Sequence, residues 1–120
     1  MNTFRLLLCF CLYQGVLQAQ DFTVKQYAWY VEKDIVYGSA VDYKNELLDL
    51  ELDLYKPLGD GNTNRPLLVL VHGGSWLGGC KEDMRWLAEE MVARGYAVAS
   101  INYRMGWHKD DWTPTPFPNY

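Results

Sequence analysis

His72-Gly73-Gly74-Ser75-Trp76 is the stretch of this chain whose residue types and spacing could do chemistry. Two adjacent glycines let a backbone run close to a ligand and take conformations that a Cβ forbids. Amide N–H groups exposed in that way can donate to an oxygen on which negative charge develops. Each such donor contributes about 3–4 kcal/mol to a transition state. The residues around the two glycines invite other roles. Ser75 is not read as a nucleophile, because a nucleophile elbow reads G-x-S-x-G, whereas here Leu77 holds the last position and Gly78 comes one place late. No G-x-S-x-G occurs anywhere in the chain. The only histidines are His72 and His108, and neither is spaced to activate Cys80. Cys80 is therefore read as a small residue in a loop or at a helix start. Asp49, Glu51 and Asp53 place three carboxylates on one side of a strand, which could suggest a cation site. The reading preferred is a solvated edge strand guarded by charge.

The elements around the glycine loop have to position it. Leu67-Leu68-Val69-Leu70-Val71 is a continuous apolar run opened by Pro66, read as a strand buried on both faces of a parallel sheet. Glu82–Arg94 is predicted helical, because Met84, Leu87, Ala88, Met91 and Val92 form one apolar stripe. Glu82 and Asp83 suit its N-terminus, Arg94 its C-terminus, and Gly95 is the stop. Tyr96–Ile101 is a second buried strand. Strand, loop, helix and strand make a βαβ unit, and ligands bind at the loops that follow the carboxyl ends of such strands. Upstream, Leu48, Leu50, Leu52 and Leu54 alternate with acidic residues, the pattern of a strand with one buried and one wet face. Asp34–Tyr37 is a shorter strand with a turn at Gly38-Ser39, residues 20–33 show no period, and Pro57–Pro66 is a loop rich in turn formers. From Arg104 the chain is read as a loop.

Leu67–Trp76, the helix, and Ser100-Ile101-Asn102-Tyr103-Arg104 together resemble the α/β-hydrolase fold. Within it they resemble esterases and lipases with an HGG-type oxyanion loop, including secreted bacterial carboxylesterases and feruloyl- or acetyl-esterase-like enzymes. The hairpin ending Leu-Asp-Leu-Glu-Leu-Asp-Leu-Tyr-Lys-Pro resembles the first two strands of such proteins. The resemblance implies an α/β fold with an antiparallel edge hairpin followed by a parallel βαβ unit, the N-terminal and incomplete portion of the hydrolase domain. It implies hydrolysis of a carboxylic ester by a Ser-His-Asp/Glu triad through an acyl-enzyme, with no metal or organic cofactor. The backbone N–H groups of Gly73, Gly74 and Ser75 would form the oxyanion hole. Trp76 would pack beside the acyl group, and His72 would line the pocket and brace the loop. The base follows the nucleophile in the chain order of this fold, so neither His72 nor His108 is expected to be the catalytic histidine. The whole triad is expected beyond Tyr120, which would leave the chain inactive by itself. Two rivals remain. A secreted serine peptidase of the prolyl-oligopeptidase type would need a propeller domain, for which there is no room. A non-catalytic hydrolase-fold binding protein would lack the elbow serine.

Composition bounds the partners and the destination. The chain has 120 residues, 49% hydrophobic and 22% charged, with a net charge of −4. That is a globular composition, and an acidic chain without a basic cluster argues against nucleic acid and anionic membrane. Met1–Arg5 is a short positive segment, Leu6–Leu17 is apolar, and Ala19 offers a cleavage point that leaves Gln20 first. Residues 1–19 are thus expected to be a signal peptide, too short in its apolar part to span a bilayer, and residues 20–120 the hydrolase portion. The expected location is secreted or periplasmic, with no membrane contact after signal removal. Cys9 and Cys11 would leave with the signal, so Cys80 alone remains in residues 20–120, with no internal disulfide there, and could pair only with a cysteine beyond residue 120. The expected partner is a small-molecule or carbohydrate-linked ester. Trp107, Trp112, Phe117 and Tyr120 hint at carbohydrate but are read as ordinary loop packing.

Overall fold

The computed structural model describes residues 20–59 and 61–106. The signal-peptide segment, His108 and the aromatic residues from Trp107 to Tyr120 lie outside these residues. Four strands form one mixed sheet: β1 (Trp29–Val41), β2 (Leu47–Pro57), β3 (Leu67–Val71) and β4 (Ala97–Ile101), in the spatial order β1-β2-β4-β3. β1 and β2 pair antiparallel, as do β2 and β4, while β3 and β4 are parallel. Between β3 and β4 the chain forms a 3-10 turn over Lys81–Met84 and the helix α1 over Arg85–Val92. The expected α/β architecture, hairpin first and parallel βαβ unit second, is the one observed.

The helix docks through its predicted stripe. Ala88 and Val92 are buried with Tyr55 and Val98, and Trp29, Val31, Leu68, Leu70, Met91 and Tyr96 pack around them. Gly95 ends the helix at φ +103°, a conformation that glycine adopts without the Cβ penalty. The residues that lacked a period also find a place. Gln26 and Tyr27 donate their amides to the carbonyl of Ala93 (2.9 and 3.0 Å), which caps the end of α1, and Trp29–Lys33 belong to β1.

Three sequence expectations are corrected. First, β1 runs straight through Gly38-Ser39, and the hairpin turns later, at Asp42–Glu46. Asp42 Oδ1 accepts the amides of Lys44 and Glu46 (both 2.8 Å), and Asn45 takes the left-handed conformation (φ +66°) that the turn needs. Gly38 instead adjoins a break in the strand register, one of two such irregularities in β1. Second, β2 is internal, between β1 and β4, and its leucines do not face the helix. Tyr55 opposes Val98 beneath α1, whereas Leu54 opposes Ala99 on the other face. Because side chains alternate across a strand, the Leu48–Leu54 row lies on the face that α1 leaves open, and Asp53 lies on the covered one. Third, β3 is not buried on both faces. Leu68 and Leu70 meet the core, but Leu67, Val69 and Val71 are exposed at the sheet edge, since no described element lies over them.

Candidate functional site

The glycine loop leaves the carboxyl end of β3 and returns to the sheet at the 3-10 turn. His72 is buried, and its Nδ1 lies 2.8 Å from the carbonyl oxygen of Gly73. A carbonyl only accepts, so Nδ1 carries the proton and donates. The ring stacks on Tyr103 with centroids 4.5 Å apart and planes 20° from parallel, and the Tyr103 hydroxyl donates to the His72 carbonyl at 3.1 Å. His72 Nε2 is buried without a partner among the described residues.

Beyond His72 the chain reverses sharply. The amide of Leu77 donates to the Gly74 carbonyl at 2.9 Å, closing a four-residue turn. Both central residues have positive φ, +54° at Ser75 and +61° at Trp76. A β-carbon makes this costly, and for a bulky residue such as Trp76 it is an outlier. The two glycines therefore have different reasons to be glycine. At Gly74, with φ +121°, a Cβ would lie 2.8 Å from the carbonyl carbon of Gly78 and closer still to its oxygen. At Gly73 a Cβ would meet nothing within 4 Å. Gly74 is the steric lock of the turn, whereas Gly73 opens onto free space. A second lock is Gly79 (φ +98°), where a Cβ would overlap His72 Nδ1 and the Gly73 carbonyl oxygen.

Among the described residues, no hydrogen bond uses the amide N–H of Gly73, Gly74, Ser75 or Trp76. Val71, His72, Gly73, Ser75, Trp76 and Tyr103 line an open cleft of about 500 Å³ with mostly apolar walls. His72, Gly73, Ser75 and Trp76 are thus brought together around the cleft, Gly74 lies in the turn between them, and Trp76 is more than half exposed.

The far end of the loop carries a feature that the sequence did not disclose. Lys81 is 3% exposed, and its Nζ donates to Asp34 Oδ1 (2.7 Å), Asp53 Oδ1 (2.8 Å) and Glu82 Oε1 (2.8 Å). Burial alone would lower its pKa, but the hydrogen bonds to Asp34, Asp53 and Glu82 raise it well above the ordinary lysine range. Glu82 is lowered to about 2, chiefly by its bond to Lys81. Asp53 Oδ1 also accepts the amide of Asp34 at 3.1 Å, and Asp34 sits at a register break in β1 with φ +57°. The expectation that Asp53 belongs to a solvated carboxylate face is therefore overturned: Asp53 is 2% exposed, and the cation that it meets is the ammonium of Lys81. Main-chain bonds complete the anchor, from the Lys81 amide to Asn102 Oδ1 (2.8 Å) and from Ser100 Oγ to the Lys81 carbonyl (2.7 Å). Two of the three partners of Lys81, Asp34 and Asp53, are far away in the chain, so no local pattern pointed to the cluster. The second glycine pair, Gly78-Gly79, was the available signal that the far half of the Gly-rich loop His72–Lys81 packs tightly on its first residues.

Cys80 precedes the 3-10 turn as its N-cap, the place expected from its neighbours. Its amide bonds Asp83 Oδ2 at 2.9 Å, and hydrogen bonding of its thiol to Glu82 pushes the thiol pKa up, away from a reactive thiolate. Among the described residues, no helix is long and apolar enough to cross a membrane.

Comparison with known proteins places this architecture. The family model described as BD-FAE matches residues 52–115, just over half of the chain. Esterase 2 of Thermogutta terrifontis, phosphorylated by paraoxon, superposes with a TM-score of 0.51 at 30% identity, over 63% of this chain and 27% of that one. The propionate-bound form of the same planctomycete esterase gives a TM-score of 0.51 and 30% identity, with 63% and 26% covered. A non-reducing polyketide synthase, prhL, of Penicillium brasilianum is 32% identical over 77 residues, which is 62% of this chain and 3% of the synthase. The chain thus spans about a quarter of the length of the esterase structures that it matches and a small part of the synthase. With the HGG loop set between a parallel strand and a helix, the chain belongs to the BD-FAE family and carries part of an α/β-hydrolase fold of the esterase type.

Proposed function

We propose that this region serves an ester hydrolase acting through a serine nucleophile, and that the amides of Gly73, Gly74 and Ser75 form its oxyanion hole. The observation that carries this reading is the set of unpaired amide donors held on a locked turn beside an open apolar cleft, at the carboxyl end of a parallel strand. Acyl transfer needs that arrangement. When a nucleophile adds to an ester carbonyl, the oxygen gains negative charge, and fixed N–H dipoles stabilise it without reorganising. Here the donors are held by the turn's closing bond, by Gly74 against Gly78 and by Gly79 against His72, so they stand in place before the substrate arrives.

His72 acts as a brace: its Nδ1 is committed to the Gly73 carbonyl, and its ring is clamped by Tyr103. Trp76 supplies an apolar wall against which an acyl chain can lie. The nucleophile, acid and base are assigned to the part of the fold that the match to the esterase does not cover. Thermogutta esterase 2 is phosphorylated by paraoxon, as expected of a hydrolase with an activated nucleophile, and this supports the same chemistry here. The protein is read as exported after loss of residues 1–19, and its substrate as a small-molecule or carbohydrate-linked ester.

The test is to express the full chain encoded with this region and assay p-nitrophenyl acetate, with a fluorophosphonate probe in parallel. Ester turnover that the probe abolishes is the expected result. Protein that neither turns over esters nor takes up the probe would point to the binding-protein reading. Cleavage of peptides in preference to esters would point to the peptidase.

A further inference from the structure

We propose that Lys81 is a positioning residue for the oxyanion loop: its ammonium, clamped by Asp34, Asp53 and Glu82, fixes the far end of the loop and so sets where the Gly73–Ser75 amides point. This rests on the esterase reading above. The near end of the loop is held by the ladder between β3 and β4. The far end is Lys81, where four parts of the chain converge. Its side chain reaches Asp34 on β1 and Asp53 on β2, its amide reaches Asn102, and its carbonyl accepts from Ser100 on β4.

Little slack separates that anchor from the donors. Gly79 abuts His72 and the Gly73 carbonyl, and the Gly78 carbonyl abuts Gly74, each so closely that a single added carbon would collide. A displacement of Lys81 is therefore passed to Gly73 and Gly74 rather than absorbed. Stability alone accounts poorly for such a cluster, because buried ion pairs often contribute no more than well-packed apolar replacements. Position is what it supplies. Three donors on one tetrahedral nitrogen match three separate carboxylates, a geometry that neither an apolar side chain nor a planar guanidinium reproduces.

The test uses the full chain with two variants, Lys81→Met and the double variant Asp34→Asn/Glu82→Gln. Asparagine tolerates the left-handed backbone at position 34. Two readouts are taken: kcat and KM on p-nitrophenyl acetate, and amide hydrogen exchange. A misplacement of about 1 Å costs on the order of 100-fold in rate, so Lys81→Met is expected to lower kcat by about that factor with KM nearly unchanged. The double variant, which keeps Asp53, is expected to lose less, roughly 10-fold on the same scale. In both, exchange at residues 73–80 should quicken while α1 and β4 exchange as in the parent. Unchanged loop exchange in the variants would overturn the proposal, and so would quickening spread equally over α1 and β4. If Lys81→Met does not fold, the double variant decides by the same criteria. If the parent hydrolyses no ester, the functional reading fails, and the exchange measurement still decides whether Lys81 holds the loop.

Discussion

Replacing Gly73 and Gly74 in turn by alanine separates a steric lock from a ligand-facing position. At Gly74 the new methyl would lie 2.8 Å from the Gly78 carbonyl carbon and closer to its oxygen, with the backbone at φ +121°. Both groups are main chain, so no side chain can swing away. Restoring ordinary contact requires a movement of about 1 Å in the turn that carries the donors, a displacement that costs on the order of 100-fold in rate. The backbone conformation adds about 1–3 kcal/mol of strain, which lowers stability as well. At Gly73 the methyl meets nothing within 4 Å. Stability there should hold, or rise by about 0.4–1 kcal/mol through loss of unfolded-state freedom. The methyl would project beside the cleft, so KM for bulky acyl groups should rise before kcat falls. The assay is steady-state kinetics on esters of increasing acyl length, paired with urea unfolding of both variants in the full chain. Gly74→Ala with kcat within twofold of the parent and unchanged unfolding would refute the lock. Gly73→Ala as damaging to stability as Gly74→Ala would refute the distinction.

Further outcomes follow from the same geometry. Glu82 titrates at about 2 in the folded chain against an ordinary 4.5, so its contribution is complete above pH 4.5 and is lost as pH falls towards 2. Melting temperature followed over that window should drop less steeply in Glu82→Gln than in the parent, and parallel curves would count against the Lys81 bond. Lys81 is raised, so its contribution is complete below its ordinary 10.5 and persists into stronger alkali. Between about pH 5 and 10 the bond between Lys81 and Glu82 should thus leave stability flat. Tyr103→Phe keeps the ring stack and loses the bond to the His72 carbonyl, which should cost about 0.5–1.5 kcal/mol in urea unfolding. A Tyr103→Phe variant as stable as the parent would show that the stack alone holds His72. Mass spectrometry of protein recovered outside the cytoplasm should show Gln20 as the first residue, and an intact Met1 form there would exclude the signal-peptide assignment.

What the sequence determined was whatever depends on near neighbours. A continuous apolar run between a proline and a glycine-rich loop is a strand whichever partner it finds, and an apolar stripe at helical spacing is a helix that docks through that stripe. The HGG loop between them marked the candidate site, because loops at the carboxyl ends of parallel strands converge in this fold. Where several patterns competed, the local signal misled. Gly38-Ser39 has turn composition, yet the pairing of β1 with β2 continues past it, and the tighter bonding of Asp42 takes the turn. The leucine alternation of β2 shows two faces but not which of them the helix will cover. Tertiary structure decided that, and it buried Asp53 instead of wetting it. The Lys81 anchor was decided the same way. Lys81 and Asp53 are 28 residues apart and Lys81 and Asp34 are 47 apart, and each looks like an ordinary surface charge in its own surroundings. Only the crossover that sets β4 beside β2 brings the ammonium against them, and a charge can stay buried only where such partners meet it.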